Sequence, residues 1–268
     1  MNKSRRKFVQ LTGLTAVASL SGCTSLFGRN NTSTTTGNQS TQTQHTTDVE
    51  TTSTTPTNTT TRTEREVKAP SGIVNQASVP DRPAQFTYAY MGANDASVTA
   101  TVYGSWKCPY TQEFVDGYLQ TIIEKFVRPG DVRLAFREVA YDEGEPFHGP
   151  DELTAAHAGL SVWNRSPSAY WSFFARMFAN QQSTTESWAT TDRLIQIAKV
   201  AGVSNRNEIR QDIKNRAYKQ EIKATMQKVH ELELGAVPRV VVGKSITAPT
   251  VDAGDTEDLL EQAIADEK

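Results

Sequence analysis

The chain has 268 residues, 37% of them hydrophobic, with 28 basic and 30 acidic side chains and a net charge of −2. That length allows one or two domains, the balanced charge excludes a nucleic-acid binder built on a basic face, and no apolar stretch reaches the roughly 18 residues a transmembrane helix needs. Two cysteines, Cys23 and Cys108, exclude a disulfide-rich scaffold and a zinc site built on several thiolates.

Residues 1–22 hold Lys3, Arg5, Arg6 and Lys7 and no acid, then a short apolar run, then Leu20-Ser21-Gly22-Cys23. A charged start, an apolar run too short to span a bilayer and a small-residue cleavage region make an export signal. The Arg5-Arg6 pair resembles a twin-arginine signal, and Leu-Ser-Gly-Cys resembles a lipobox, which implies that Cys23 becomes the lipidated first residue of the mature chain. Without residues 1–22 the chain has 24 basic and 30 acidic side chains, a net −6.

Residues 23–84 are expected to form a disordered stalk. Between 32 and 63 there are 17 threonines and 3 serines, with Val49 the one clearly apolar residue, and such a segment cannot bury enough surface to offset the entropy of ordering. Its Ser/Thr-rich, Pro-containing composition points to a glycosylated stalk, and Asn30, Asn31, Asn38 and Asn58 each begin an Asn-x-Ser/Thr sequon.

From residue 85 the composition becomes globular. The sequence predicts strands over 86–91 and 97–103 separated by a turn, a helix over 111–127 stopped by Pro129-Gly130, and a strand over 132–139. Strand, helix, strand at this length is a βαβ unit. Helices follow over 151–163, 168–179 and 192–200, then one or two over 208–233. A strand over 237–242 turns at Gly243-Lys244 toward a partner within 245–251, and a last helix spans 255–265 with Asp255 placed to cap it.

Cys108 lies at the strand-to-helix junction in Trp106-Lys107-Cys108-Pro109-Tyr110-Thr111. There it meets the unpaired N–H groups and the positive dipole end of the helix, both of which favour thiolate over thiol. Pro109 suits a first helical turn, and Lys107 adds a positive charge if its side chain points the same way. Cys108 is therefore a candidate nucleophile; the alternative is a buried cysteine packing as a small hydrophobe.

The segment from Gly104 to Tyr110 resembles the active-site stretch of the thioredoxin fold in its DsbA-like branch, which carries a helical insertion. Gly235-Ala236-Val237-Pro238 resembles that family's loop with a cis proline facing the reactive cysteine. Phe147-His148, Ala155-Ala156 and Ala169-Tyr170-Trp171 resemble the insertion. The resemblance implies an α/β thioredoxin-like fold with an inserted helical block. It also implies a thiol–disulfide oxidoreductase that handles exported cysteine-containing proteins or extended peptides, with Cys108 as nucleophile and Pro109, Tyr110, Val237 and Pro238 bordering the substrate.

The chain departs from the family pattern where the chemistry is decided. Thr111 occupies the position of the second, resolving cysteine, so release of a mixed disulfide falls to an external thiol. Its hydroxyl either donates to the Cys108 sulfur or serves as plain helix capping or solvent contact. Val102 and Ser105 stand where relatives carry buried acids, so the acid that assists proton transfer is expected to be absent. A catalytically degenerate peptide-binding protein is the alternative function. No cofactor is implied, and His148, His157 and His230 sit at no metal-ligand spacing. The aromatics Trp163, Tyr170, Trp171, Phe173, Phe174 and Phe178 read as insertion core.

Overall fold

The computed structural model describes residues 65–142 and 144–268. Short β1 (Ala89–Met91) leads through Gly92 into β2 (Val98–Gly104), whose β-branched residues suit a central strand, with Val98, Ala100 and Val102 buried and Thr99 and Thr101 half-buried. Gly92 has φ +99°, and a Cβ there would lie 2.8 Å from the Val132 carbonyl oxygen, so only glycine fits this turn. Helix α1 (Pro109–Asp116) breaks at Gly117, and α2 (Tyr118–Ile122) runs on into a π-helical turn, Ile123–Val127. Strand β3 (Val132–Glu138) then lies parallel to β2, with Gly104 opposite Glu138.

A small hairpin, β4 (Tyr141–Asp142) with β5 (Glu145–Pro146), precedes the helical block. That block comprises α3 (Glu152–Arg165), α4 (Tyr170–Ala179), α5 (Thr191–Val200), α6 (Arg206–Asn215) and α7 (Lys219–Glu231). The chain returns through β6 (Arg239–Val242) and β7 (Ser245–Thr247) to α8 (Ala253–Asp266). The five-stranded sheet has the order β1-β3-β2-β6-β7, with β2 and β3 parallel and the other pairs antiparallel. This is a thioredoxin-like α/β fold with an inserted helical block.

Two local expectations are corrected. The terminal helix is capped by Asp252, whose carboxylate accepts from the Gly254 and Asp255 amides at 2.8 and 3.2 Å, and not by Asp255. The stalk does not extend to residue 84. Val74 is buried against the main core, with Val67, Ile73 and Val79 packed beside it. Asn180 clamps the Lys68 backbone with two hydrogen bonds of 2.9 Å, and the Ile73 amide donates to Gln120. These apolar residues, spaced among prolines rather than periodic, give no helix or strand signal in the sequence. The readings placed on 1–64 (export signal, Cys23 lipidation, most of the stalk) lie outside the described residues, and no helix among the described residues is long and apolar enough to cross a membrane.

The aromatic set of the helical block is buried as expected. The stretch 208–233, expected as one or two helices, holds two, parted at Arg216, which takes a left-handed conformation (φ 50°). Helix α7 is tied down along its length: the Tyr218 amide donates to His157 Nδ1 (3.3 Å), the Tyr88 hydroxyl to the Glu221 carbonyl (2.9 Å), and Arg137 Nε to the Thr225 hydroxyl (3.2 Å). Burial holds His157 down to about 4, which keeps the ring neutral and able to accept.

Candidate active site

Strand β2 ends in Ser105-Trp106-Lys107 and delivers Cys108 as the N-cap of α1, in extended conformation (φ −74°, ψ 123°), with Pro109 as the first helical residue. The Cys108 carbonyl accepts from the Gln112 amide at 3.1 Å and from Gln181 Nε2 at 3.1 Å; Gln181 also holds the Trp106 carbonyl. The thiol is 3% exposed and donates to the Val237 carbonyl at 3.8 Å. The Val237–Pro238 bond is cis. The fold thus brings Cys108, Val237 and Pro238 together from ends of the sequence 129 residues apart. Tyr110 points outward beside them, 62% exposed.

A groove of about 430 Å³ opens at this point, with Val139, Phe147, Met226, Val229, Leu234 and Val237 as its apolar lining and His230 and Glu233 among its polar residues. Cys108 shares a small apolar cluster with Tyr103, Val139, Val229, Val237 and Val241. Val139, Val229 and Val237 belong to both the cluster and the groove, so the buried thiol lies behind the wall of a groove that could hold an extended peptide.

Thr111 is fully buried, so solvent contact is excluded, and it makes no helix-cap bond. Its hydroxyl oxygen accepts from the Ser105 amide at 3.3 Å. Lys107 is corrected: its ammonium is committed to Asp151 Oδ1 at 2.5 Å and to the Glu186 carbonyl at 3.0 Å, with the side chain 1% exposed. The other Asp151 oxygen accepts from the Ala189 amide. Lys107 pins the active-site loop to two others.

The expected absence of a buried acid is overturned. Val102 and Ser105 carry no charge, but parallel pairing of β2 with β3 sets Glu138 behind the loop, and the first turn of α3 adds Glu152. The Trp106 amide donates to both Glu138 oxygens (3.2 and 3.1 Å), and the Ser105 hydroxyl donates to Glu152 Oε1 (2.9 Å). Burial, then the nearby Glu152 charge, hold Glu138 well above the usual carboxylate range; burial raises Glu152 also. The sequence did hold a signal for Glu138. It follows Leu134 and Phe136 at period two, on inward positions of β3. Glu152 follows Asp151 at a helix start, where acids are ordinary. Among the described residues no cluster of His, Cys, Asp or Glu could hold a metal ion.

Trp106 hangs the loop on the insertion, its ring 5.2 to 6.1 Å from those of Phe136, Phe173, Phe174 and Phe178. The contact requires Gly159, where a Cβ would lie 2.7 Å from Trp106 Cζ2. Gly159→Ala gains roughly 0.5–1 kcal/mol of helix propensity and loses roughly 1–3 kcal/mol to overpacking against a rigid indole. Urea unfolding is expected to find the variant less stable by about 1 kcal/mol; a more stable variant would mean that the indole shifts freely.

A family model described as thioredoxin matches residues 85–263. Disulfide bond formation protein D of Bacillus subtilis (strain 168) is 24% identical over 202 residues, 75% of this chain and 84% of its own length. The probable disulfide bond formation protein D of Bacillus cereus is 25% identical over 171 residues, 63% of this chain and 76% of its own. Among solved structures, oxidised BdbD from Bacillus subtilis aligns with a TM-score of 0.61 at 22% identity, over 70% of this chain and 97% of that one. DsbA from Chlamydia trachomatis gives 0.56 at 21%, over 65% and 90%. At these identities the structures establish a shared fold.

Proposed function

The chain belongs to the thioredoxin family, and on that premise we propose that it is a membrane-tethered, extracytoplasmic thiol–disulfide exchange protein working through one thiol, that of Cys108. The observation that carries the proposal is the position of Cys108: N-cap of α1, thiol against the carbonyl of the residue before the cis proline, at the edge of an apolar groove. Cys108 as thiolate attacks one sulfur of a substrate disulfide. A new Sγ–S bond forms, the old S–S bond breaks, and its electron pair leaves on the other substrate sulfur, which takes a proton. No second cysteine exists in residues 65–268, so the mixed disulfide waits for an external thiolate. That thiolate attacks the substrate-side sulfur, and Cys108 leaves as thiolate. The substrate sulfur leaves joined to the external sulfur, and a second thiol cleaves that bond, so the two electrons come from two thiols, of a low-mass reductant or of partner cysteines.

In this proposal Cys108 is the catalytic residue and Thr111 shapes the loop through Ser105. Pro109, Tyr110, Val237 and Pro238 border the peptide. Lipidation of Cys23 after twin-arginine export would hold the domain on the outer face of the membrane by its Thr-rich stalk. The substrates would be exported cysteine-containing proteins or extended peptides, and no cofactor is used. A second reading, a peptide-binding protein without exchange, is favoured by the near-complete burial of the Cys108 thiol.

Thiol release from a disulfide-linked peptide, followed at rising concentrations of a low-mass thiol, separates the two. Exchange predicts a rate that grows with both protein and thiol and vanishes in Cys108→Ser. Peptide binding with no protein-dependent release would establish the second reading.

A further inference from the structure

One stretch of chain, the connection 180–190 between α4 and α5, holds the active-site loop by several bonds. Gln181 Nε2 donates to the carbonyls of Trp106 and Cys108 at 2.9 and 3.1 Å, which fixes the peptide planes before Lys107 and after Cys108. The Lys107 ammonium reaches the Glu186 carbonyl at 3.0 Å, and the Ala189 amide donates to Asp151, the ion-pair partner of Lys107. From α1, Gln112 Nε2 reaches back to the Phe178 carbonyl at 2.7 Å. Held in this way, Cys108 keeps the extended N-cap conformation that sets its sulfur against the Val237 carbonyl.

Residues 181–190 have no helix or strand of their own, so the connection needs fixing from outside. The strap supplies it at both ends. At the α4 end, Asn180 bonds both backbone polar groups of Lys68 at 2.9 Å, and Gln182 accepts from the Arg65 guanidinium. At the α5 end, the Arg193 guanidinium donates to the Arg65 and Glu66 carbonyls at 2.5 and 3.3 Å, and to Asn180 Oδ1 at 2.9 Å. Asn180, Gln181 and Gln182 thus divide their bonds: the outer two hold the strap and the middle one holds the active-site loop.

We propose that residues 65–68 belong to the support of the active site, and that Gln181 is the positioning residue through which they hold Cys108. The strap fixes the connection 180–190, Gln181 fixes the two loop carbonyls, and the loop keeps the sulfur at the cis-proline wall of the groove. Small displacements of a reacting atom cost rate steeply, so the strap contributes to reactivity from outside the substrate groove. The inference rests on Cys108 being the reactive thiol.

The test is the rate of Cys108 alkylation by iodoacetamide in the full chain, followed by mass on the Cys108 peptide. It is read at the high-pH plateau, where the thiol is fully ionised and the rate reports access alone. Alkylation needs no disulfide, so it tests the strap separately from the exchange activity. Gln181→Met keeps the side-chain length but loses both donated bonds, and it is expected to react several-fold faster. Arg193→Met, which cuts bonds to the strap and to Asn180, should also react faster. The double variant should react no faster than Gln181→Met, because both changes act through one link. An unchanged rate in Gln181→Met, or a double variant showing the product of the two effects, would overturn the proposal. Asp252→Ala uncaps α8 and costs stability at the other end of the chain, and it is expected to react at the wild-type rate. A rise there as well would reduce the effect to general loosening and would also overturn the proposal. In exchange with a disulfide-linked peptide, Gln181→Met is expected to lose several-fold in maximal rate at an unchanged half-saturating concentration. A change confined to half-saturation would contradict a positioning role.

Discussion

The Thr111→Cys variant is expected to close an internal disulfide with Cys108 and to oxidise dithiol peptides with no added oxidant beyond its own bond, an activity not expected of the wild-type domain, which has one cysteine in residues 65–268. The expectation comes from the helix start. Cys108 is the N-cap and residue 111 the third helical position, the pair of positions whose side chains approach each other in a capping box. Thr111 is fully buried and offers its oxygen to the Ser105 amide. Cysteine is slightly smaller, so the exchange loses one methyl and one hydrogen bond, about 1–2 kcal/mol together, and leaves the fold in place. Counting free thiols in the oxidised and reduced variant reads the result directly. Loss of two thiols on oxidation, with transfer of the bond to a dithiol peptide, is the expected outcome. Two persistently free thiols would show that this helix start does not bring the positions into bonding reach.

Asp151→Ala is expected to be the most destabilising single change in the loop. It strands the ammonium of Lys107, 1% exposed, and also removes the acceptor for the Ala189 amide. Breaking one side of a buried ion pair costs about 3–5 kcal/mol. At about 2–4 °C per kcal/mol for a domain of this size, the melting temperature should fall by about 10 °C. Lys107→Met is the informative companion. By itself it leaves the buried Asp151 carboxylate without its counter-ion and should also be costly, whereas Lys107→Met combined with Asp151→Ala removes both charges, which is often close to neutral. Removing both partners should therefore cost less than removing Asp151 alone. If Asp151→Ala loses under 1 kcal/mol, Lys107 has an alternative partner, and its pinning role falls.

Most of the fold was legible because its signals are local. The period-two run of β2, the apolar spacing of α1, the Pro129-Gly130 stop and the aromatic face of α4 each depend on neighbours within a turn or two. Cys108 with Val237-Pro238 was legible by resemblance, through two motifs far apart in the chain.

What escaped is what the tertiary structure assembles. Glu138 and Glu152 reach the Trp106 amide and the Ser105 hydroxyl from 32 and 47 residues away, and no spacing rule links them. Lys107 reads in sequence as a charge beside a thiol, yet its long side chain is drawn to Asp151, 44 residues on. The strap from residue 65 looked like stalk because its apolar residues, Val67, Ile73, Val74 and Val79, have no period. They are ordered by the surface they cover and not by propensity of their own.

The most direct test of single-thiol exchange at Cys108 is the intact mass of the full chain after incubation with a disulfide-linked peptide, before and after addition of a low-mass thiol. One peptide adduct on Cys108, stable until the thiol is added and absent in Cys108→Ser, is the predicted result. No adduct, or an adduct that the protein releases unaided, would contradict it.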